Sequence, residues 1–157
     1  AVAGRIQQKY GYPIIVFTHT PIKSVEKMHV FYKELLDIDT IIEFEQRQWR
    51  EYIKQQSICK IAIHLDTLET RGQYALDNAC LRVPLVCSGS VAGKKLFPFT
   101  YLDYPRDVDK ATKLAFRLIE DEKFRTKVID YAWNKVNEYT YESIGKQFSQ
   151  ITGIQNE

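Results

Sequence analysis

Short runs of apolar, β-branched residues alternate along this chain with longer stretches whose apolar positions recur every three or four residues. That alternation predicts an α/β protein. PIIVFT at 13–18 is short enough for a buried parallel strand. After the turn His19-Thr20-Pro21, residues 25–36 carry Val25, Met28, Phe31, Tyr32, Leu35 and Leu36 at helical spacing. Residues 40–44 (TIIEF) predict a second strand, 46–55 (QRQWREYIKQ) a second helix, and 58–65 (ICKIAIHL) a third strand. Residues 70–81 predict a short helix whose Ala75 and Ala79 permit close packing, and VPLVC at 83–87 and FPFTYL at 97–102 complete the strands. From Asp107 the pattern is helical in three pieces. Asp107 caps the first, to Glu120; the second covers 122–138; Thr140 caps the third, near Tyr141.

Repeated β–α units cross over right-handedly, so the expectation is one domain with a Rossmann-like parallel sheet of about five strands, flanked by helices. The chain has 157 residues, enough to bury a core. It carries 22 basic and 20 acidic residues, net +2, a balance that gives no reason to invoke nucleic acid or a membrane surface. No apolar run approaches the roughly 20 residues of a bilayer span. Cys59, Cys80 and Cys87 are odd in number and sit in apolar contexts, so buried, reduced thiols in a cytoplasmic setting are expected. His19, His29 and His64 lack the clustering a metal site needs. Lys94 and Lys95 read as a solvated loop pair, and Tyr131, Trp133, Tyr139 and Tyr141 as helix packing or a docking face.

In open parallel sheets, ligands sit beyond the carboxyl ends of the strands. The strand-to-helix junctions at 18–21, 45–46, 66–72 and 88–95 are therefore where chemistry is sought. At the third, Glu69 stands at a strand mouth, Gly72 follows where a helix begins, and Asp77 comes eight residues after Glu69. Unpaired N–H groups at Arg71, Gly72 and Gln73 would hold a diphosphate. Gly72 would let phosphate approach the backbone, and Asp77 would accept hydrogen bonds from ribose hydroxyls. Thr70 belongs to the same junction. His19 and Glu45, at the tips of the first two strands, are further candidate nucleotide contacts.

The segment from Glu69 through Gly72 and Asp77 to Val83-Pro84-Leu85-Val86 resembles glycosyltransferase family 4 of the GT-B fold. That family has a glutamate, a glycine three residues on, a second glutamate eight residues on, a small-residue helix and a "Gly-x-Pro-Val-Val" strand. Two positions depart from it: Asp77 replaces the second glutamate, and Arg82 stands where the glycine before the proline is usual. Downstream, Asp107 and Asp109, Leu118-Ile119-Glu120-Asp121 and Tyr139-Thr140-Tyr141 are similar to the family's closing helices. Upstream, 13–21 looks like the family's second strand of its donor domain. The strand bearing an Arg and a Lys for the diphosphate would then precede residue 1, and a start without Met fits a truncated domain. In the competing register 16–24 is that first strand, with Lys23 as its lysine and Thr18 in place of the arginine, which leaves the domain about one β–α unit short.

The resemblance implies the C-terminal, donor-binding half of a retaining glycosyltransferase, inactive alone. Its ligand would be a nucleoside diphosphate-sugar, with Glu69 as the catalytic carboxylate on the sugar. No cofactor or metal is implied. An acceptor-binding N-terminal domain would be the partner, and any peripheral membrane contact would come through it. Cytoplasmic residence would follow from the donor pool. Two alternatives remain open: a degenerate Rossmann or flavodoxin-like interaction module, and another GT-B enzyme such as a sugar-nucleotide epimerase.

Overall fold

A computed structural model of the chain describes residues 1–18, 41–45 and 49–152. The helix expected at 25–36, His19 and Gln46 lie outside the described residues. The described elements are α1 (Val2–Tyr10), β1 (Ile14–Thr18), β2 (Ile41–Glu45), α2 (Trp49–Ser57), β3 (Ala62–Thr70), α3 (Gln73–Cys80), β4 (Leu85–Ser90) and α4 (Val91–Leu96). They continue with α5 (Val108–Glu120), α6 (Glu122–Val136), a 3-10 turn at Asn137–Tyr139 and α7 (Tyr141–Thr152). The class is α/β, and the strands pair in parallel: β1 with β2, and β3 with β4.

The core follows from apolar spacing. β4 is its most enclosed strand, with Leu85 and Val86 at 0% exposure. α3 presents Ala75 and Ala79 to the interior, residues small enough for close packing. α5 turns inward Ala111, Thr112, Ala115 and Leu118, and α6 turns inward Phe124, Val128, Ala132 and Val136, both at helical spacing. α1 was not anticipated from sequence, although Val2 and Ile6 are a turn apart and both buried. It lies along α5, where Tyr10 meets the edge of Phe116 at 5.5 Å. Arg5–Asp109 and Lys9–Glu120, each at 2.6 Å, tie the rim. These pairs are solvent-exposed and add little stability.

Helix starts agree well with the sequence. Asp107 accepts from the Lys110 N–H at 2.9 Å, and Thr140 Oγ1 from the Ser143 N–H at 3.2 Å. Asp121 caps α6 through the Phe124 N–H at 2.9 Å. That bond, more than any other cause, lowers the Asp121 carboxyl below its ordinary range, and Arg117 assists.

Several boundaries move. β3 begins at Ala62 because 58–61 complete the exit from α2, where the Cys59 N–H donates to the Gln56 carbonyl at 3.1 Å. β4 runs on to Ser90 because buried hydroxyls find partners inside it, Ser88 Oγ on the Asp66 carbonyl among them. The strand expected at 97–102 is reduced to one bridge, Cys87 to Tyr101. Pro98 has no N–H for a ladder, and a turn forms around it in which the Thr100 N–H bonds the Phe97 carbonyl. The Thr100 hydroxyl then donates to the Leu85 carbonyl, a side chain standing in for a backbone rung. Among the described residues the ladders are therefore two-stranded, and a five-stranded sheet is not seen. Cys87 is buried, its thiol pushed up to about 12 by desolvation, and Cys59 is half-buried. Cys80, expected to be buried, is instead exposed, because its neighbours Asn78 and Ala79 are the ones that face inward.

No helix among the described residues is long and apolar enough to cross a membrane. Asp121→Ala removes the α6 cap and is expected to cost about 1 kcal/mol. Thermal unfolding should report a melting temperature lower by about 3 °C.

Candidate functional site

The site is built where β3 ends and α3 begins. From Ala62↔Leu85 to Leu65↔Ser88 the two strands keep step; the next pair is Thr70↔Ser90. Five steps on β3 thus oppose two on β4, so residues 66–69 are pushed out as an enlarged bulge. The Leu68 N–H donates to Asp66 Oδ1 at 3.0 Å, and Ser88 Oγ donates to the Asp66 carbonyl at 2.9 Å. Gly89, at φ 59°, lies beneath the bulge: a Cβ there would come within 2.5 Å of the Asp66 carbonyl oxygen. Strand β3 therefore carries Glu69 and Thr70 inside it, and the junction narrows to Arg71 and Gly72.

Glu69 is exposed on this bulge beside Leu68, which is 73% exposed. Among the described residues its carboxylate has no hydrogen bond or ion pair. Thr70 Oγ1 donates to the Gly89 carbonyl at 3.4 Å, which fastens the far end of the bulge to β4. Arg71 is exposed. Gly72 is the N-cap of α3 at φ 91° and supplies no side-chain cap. Its carbonyl accepts from Ala75 at 2.9 Å, so the N–H groups of Gln73 and Tyr74 come before the first intrahelical bond.

The need for glycine at position 72 has a cause that the sequence did not disclose. A Cβ would lie 2.1 Å from Ser90 Oγ and 2.9 Å from the Ala92 Cβ. Gly72 is buried against the start of α4, where Ser90 Oγ accepts the Gly93 N–H at 2.9 Å. Close packing of two strand ends requires this residue, whatever else approaches it.

Asp77 sits one turn after Gln73, half-buried. Oδ1 accepts from Gln73 Nε2 at 2.8 Å, and Oδ2 from the Tyr52 hydroxyl at 3.3 Å. Burial raises its carboxyl above the ordinary range, while the Gln73 and Tyr52 hydrogen bonds pull the other way. Tyr52, 2% exposed on α2, is in turn pushed up by burial and by the Asp77 charge. Around this pair lie further buried polar groups. Asn78 Nδ2 donates to the Tyr74 carbonyl at 2.7 Å, but its Oδ1 has no partner. Gln56, one turn after Tyr52, is fully enclosed with neither amide atom in a well-formed hydrogen bond. The Tyr74 phenol is pushed up to about 12 by burial, and its ring stands 5.1 Å from that of His64.

The structure thus joins Gln73 to Asp77 and fastens Thr70 to β4, while Glu69 and Arg71 are exposed at the rim. Glu45 closes β2, opposite Thr18 in the β1–β2 ladder; His19 is outside the described residues. Tyr52 belongs to the site and was not anticipated. Nothing in a sequence separation of 25 residues signals its bond to Asp77. Arg82 adopts φ 57°, a left-handed conformation that favours glycine. It is held by Asp130 at 2.6 Å and lies 5.5 Å from the Trp133 ring. A separate cleft of about 440 Å3, lined by Phe99, Arg117, Asp121, Lys123, Phe124 and Lys127, shares no residue with this site. Among the described residues no cluster of His, Cys, Asp and Glu is arranged to hold a metal ion.

No family model matches the chain, and no curated protein or solved structure was found to be similar to it.

Gly72→Ala is expected to destabilise the fold by about 2–4 kcal/mol, since the new Cβ meets Ser90 and takes a strained φ. Urea unfolding measures it, and a loss below about 0.5 kcal/mol would mean the corner is looser than described. Asp77 gives a pH signature. A carboxyl raised in the native state adds stability below its unfolded value of about 4, lost as pH rises through the folded value. Asp77→Asn removes that dependence. Its stability relative to the unsubstituted chain should therefore improve between about pH 3 and pH 7 in urea titrations.

Proposed function

We propose that this chain is the nucleotide-sugar-binding half of a two-domain retaining glycosyltransferase, of the family 4 type and GT-B fold. One observation carries the reading. A carboxylate at a strand end, a glycine three residues on as the N-cap of a helix, and a half-buried carboxylate in that helix occur in the order such a donor site needs. Arg82 adds support: it occupies, in the left-handed conformation, the position where the family has glycine. In this reading the two parallel ladders are parts of one Rossmann-like sheet.

Transfer would break the bond between the anomeric carbon and a diphosphate oxygen and form one to an acceptor hydroxyl oxygen on the same face. The acceptor proton would leave with the diphosphate. Negative charge grows on the departing diphosphate, and the N–H groups of Gln73 and Tyr74 at the start of α3 are suited to stabilise it. Arg71, exposed beside them, would assist. Glu69, projecting from the bulge, would hold the sugar hydroxyls and orient the ring. Asp77 would accept from ribose hydroxyls, with Gln73 beside it. Glu45 and His19 would be further contacts to the nucleotide. No cofactor is invoked beyond the donor itself. The whole enzyme would add an acceptor-binding domain, and any contact with a membrane surface would be made by that domain. Residence would be cytoplasmic, where such donors are made.

A second reading is favoured by one specific feature. Both Asp77 oxygens already accept protein donors, and the inner face of Gly72 is filled by Ser90 and Ala92. An interaction module that has lost nucleotide binding would keep such contacts for structure alone.

Calorimetric titration with UDP, GDP and ADP separates the two. The donor-site reading expects millimolar or tighter binding of one of them, weakened by about 1–2 kcal/mol in Asp77→Ala. Binding that Asp77→Ala leaves unchanged, or none at all, would favour the interaction module.

A further inference from the structure

We propose that Tyr52 is a positioning residue of the donor site, whose buried hydroxyl fixes the Asp77 carboxylate for a bound ribose diol. Selectivity for ribose over 2′-deoxyribose then depends on a residue of the preceding helix. The inference rests on the donor-site reading above and adds to it the group that makes a short carboxylate selective.

An aspartate on a helix surface ordinarily turns between rotamers, and its two oxygens present no fixed plane. Asp77 differs because its oxygens are held from two directions. Gln73 Nε2 takes Oδ1 at 2.8 Å from one turn earlier on α3, and the Tyr52 hydroxyl takes Oδ2 at 3.3 Å from α2. Gln73 is exposed and free to exchange its bond with water. Tyr52 is 2% exposed, so its hydroxyl has little access to solvent and its ring is fixed by packing. Of the two donors, Tyr52 is therefore the one that sets the orientation.

The lone-pair count leaves room for a ligand. An ionised carboxylate offers about four acceptor sites, and the hydrogen bonds from Tyr52 and Gln73 use one on each oxygen. Each oxygen keeps one for a ribose hydroxyl, in a plane already set before the ligand arrives. Preorganisation of this kind matters more for aspartate than for the longer glutamate, because the shorter side chain brings fewer alternative geometries within reach of the same diol. The surroundings fit a ligand-directed role. Asn78 Oδ1 is fully buried without a partner, and Gln56 reaches Tyr52 only through a poorly formed hydrogen bond, so polar satisfaction here is incomplete. A cluster selected only to join α2 to α3 would be expected to close those bonds or to be apolar.

The test compares ribose with 2′-deoxyribose on the intact chain. Calorimetry with UDP, GDP and ADP first identifies the base that binds, and the 2′-deoxy form of that diphosphate is then titrated. The chain should bind the ribonucleotide about tenfold more tightly, the scale of one hydrogen bond to a charged group. In Tyr52→Phe, which keeps the ring and its packing, that ratio should fall to about two while the 2′-deoxy affinity stays within about twofold. Asp77→Asn, which keeps the shape without the charge, should lose the ratio as well, providing a second variant should Tyr52→Phe unfold. An unchanged ratio in Tyr52→Phe overturns the inference and leaves the donor site standing, with the hydroxyl a tie between helices. Equal affinities in the unsubstituted chain overturn it too, because ribose is then not read at Asp77. Absence of binding before any substitution is made overturns the donor reading itself, and the inference with it.

Discussion

The described fold depends on how closely the end of β3 lies against the start of α4. Gly72 has no side chain, and the space a Cβ would take is filled by Ser90 Oγ and the Ala92 Cβ. That contact lets β3 pass directly into α3 while β4 passes into α4, with both strand ends in register at Thr70↔Ser90. Gly89 does the matching work on the other strand by allowing its backbone under the bulge at residues 66–69. Once the corner is closed, the rest follows by packing. Ser90 caps α4, α4 delivers Leu96 and Phe97 to the core, and the chain returns past Cys87 through the Thr100 hydroxyl. Nothing larger than glycine fits at position 72, so this is a constraint on sequence before it is a statement about ligands.

That distinction bears on what was legible beforehand. Periodicity located the amphipathic elements because their apolar stripes are internal to each segment: α5 and α6 begin and end close to expectation, and the caps Asp107 and Thr140 make the bonds their positions suggested. Boundaries failed where a polar residue was buried by a partner far away in sequence. Ser88 and Ser90 read as loop residues, yet their hydroxyls are consumed inside β4 and at its exit. FPFTYL reads as strand by composition, yet Pro98 and the side-chain bond of Thr100 leave it one rung. In the site, the order Glu69, Gly72, Asp77 was visible because it is local. The Tyr52–Asp77 bond was not, since a hydroxyl meeting a carboxylate across 25 residues leaves no mark on either neighbourhood.

The polar groups between α2 and α3 are the least comfortable part of the interior. Leaving a buried polar atom unpaired costs about 1–3 kcal/mol; Asn78 Oδ1 is such an atom, and Gln56 meets Tyr52 without well-formed hydrogen-bond geometry. Asp77 adds a charge that burial resists, as the upward displacement of its carboxyl records. An apolar seam of the same shape would be more stable.

Arg82 connects this seam to the helical layer beyond it. A non-glycine residue in the left-handed region costs about 1 kcal/mol, and the exposed Arg82–Asp130 pair returns little of it. Glycine would therefore be the easier residue at the exit from α3. What arginine adds is direction: its guanidinium reaches Asp130 and lies near Trp133, both on α6, so the end of α3 is attached to a helix that is itself anchored by Phe124, Val128 and Ala132. The start of α3 is fixed independently, by Gly72 against Ser90 and Ala92. α3 is thus held at both ends, by Gly72 packed against Ser90 and Ala92 and by Arg82 on α6, and between these points Asp77 meets the Tyr52 hydroxyl of α2.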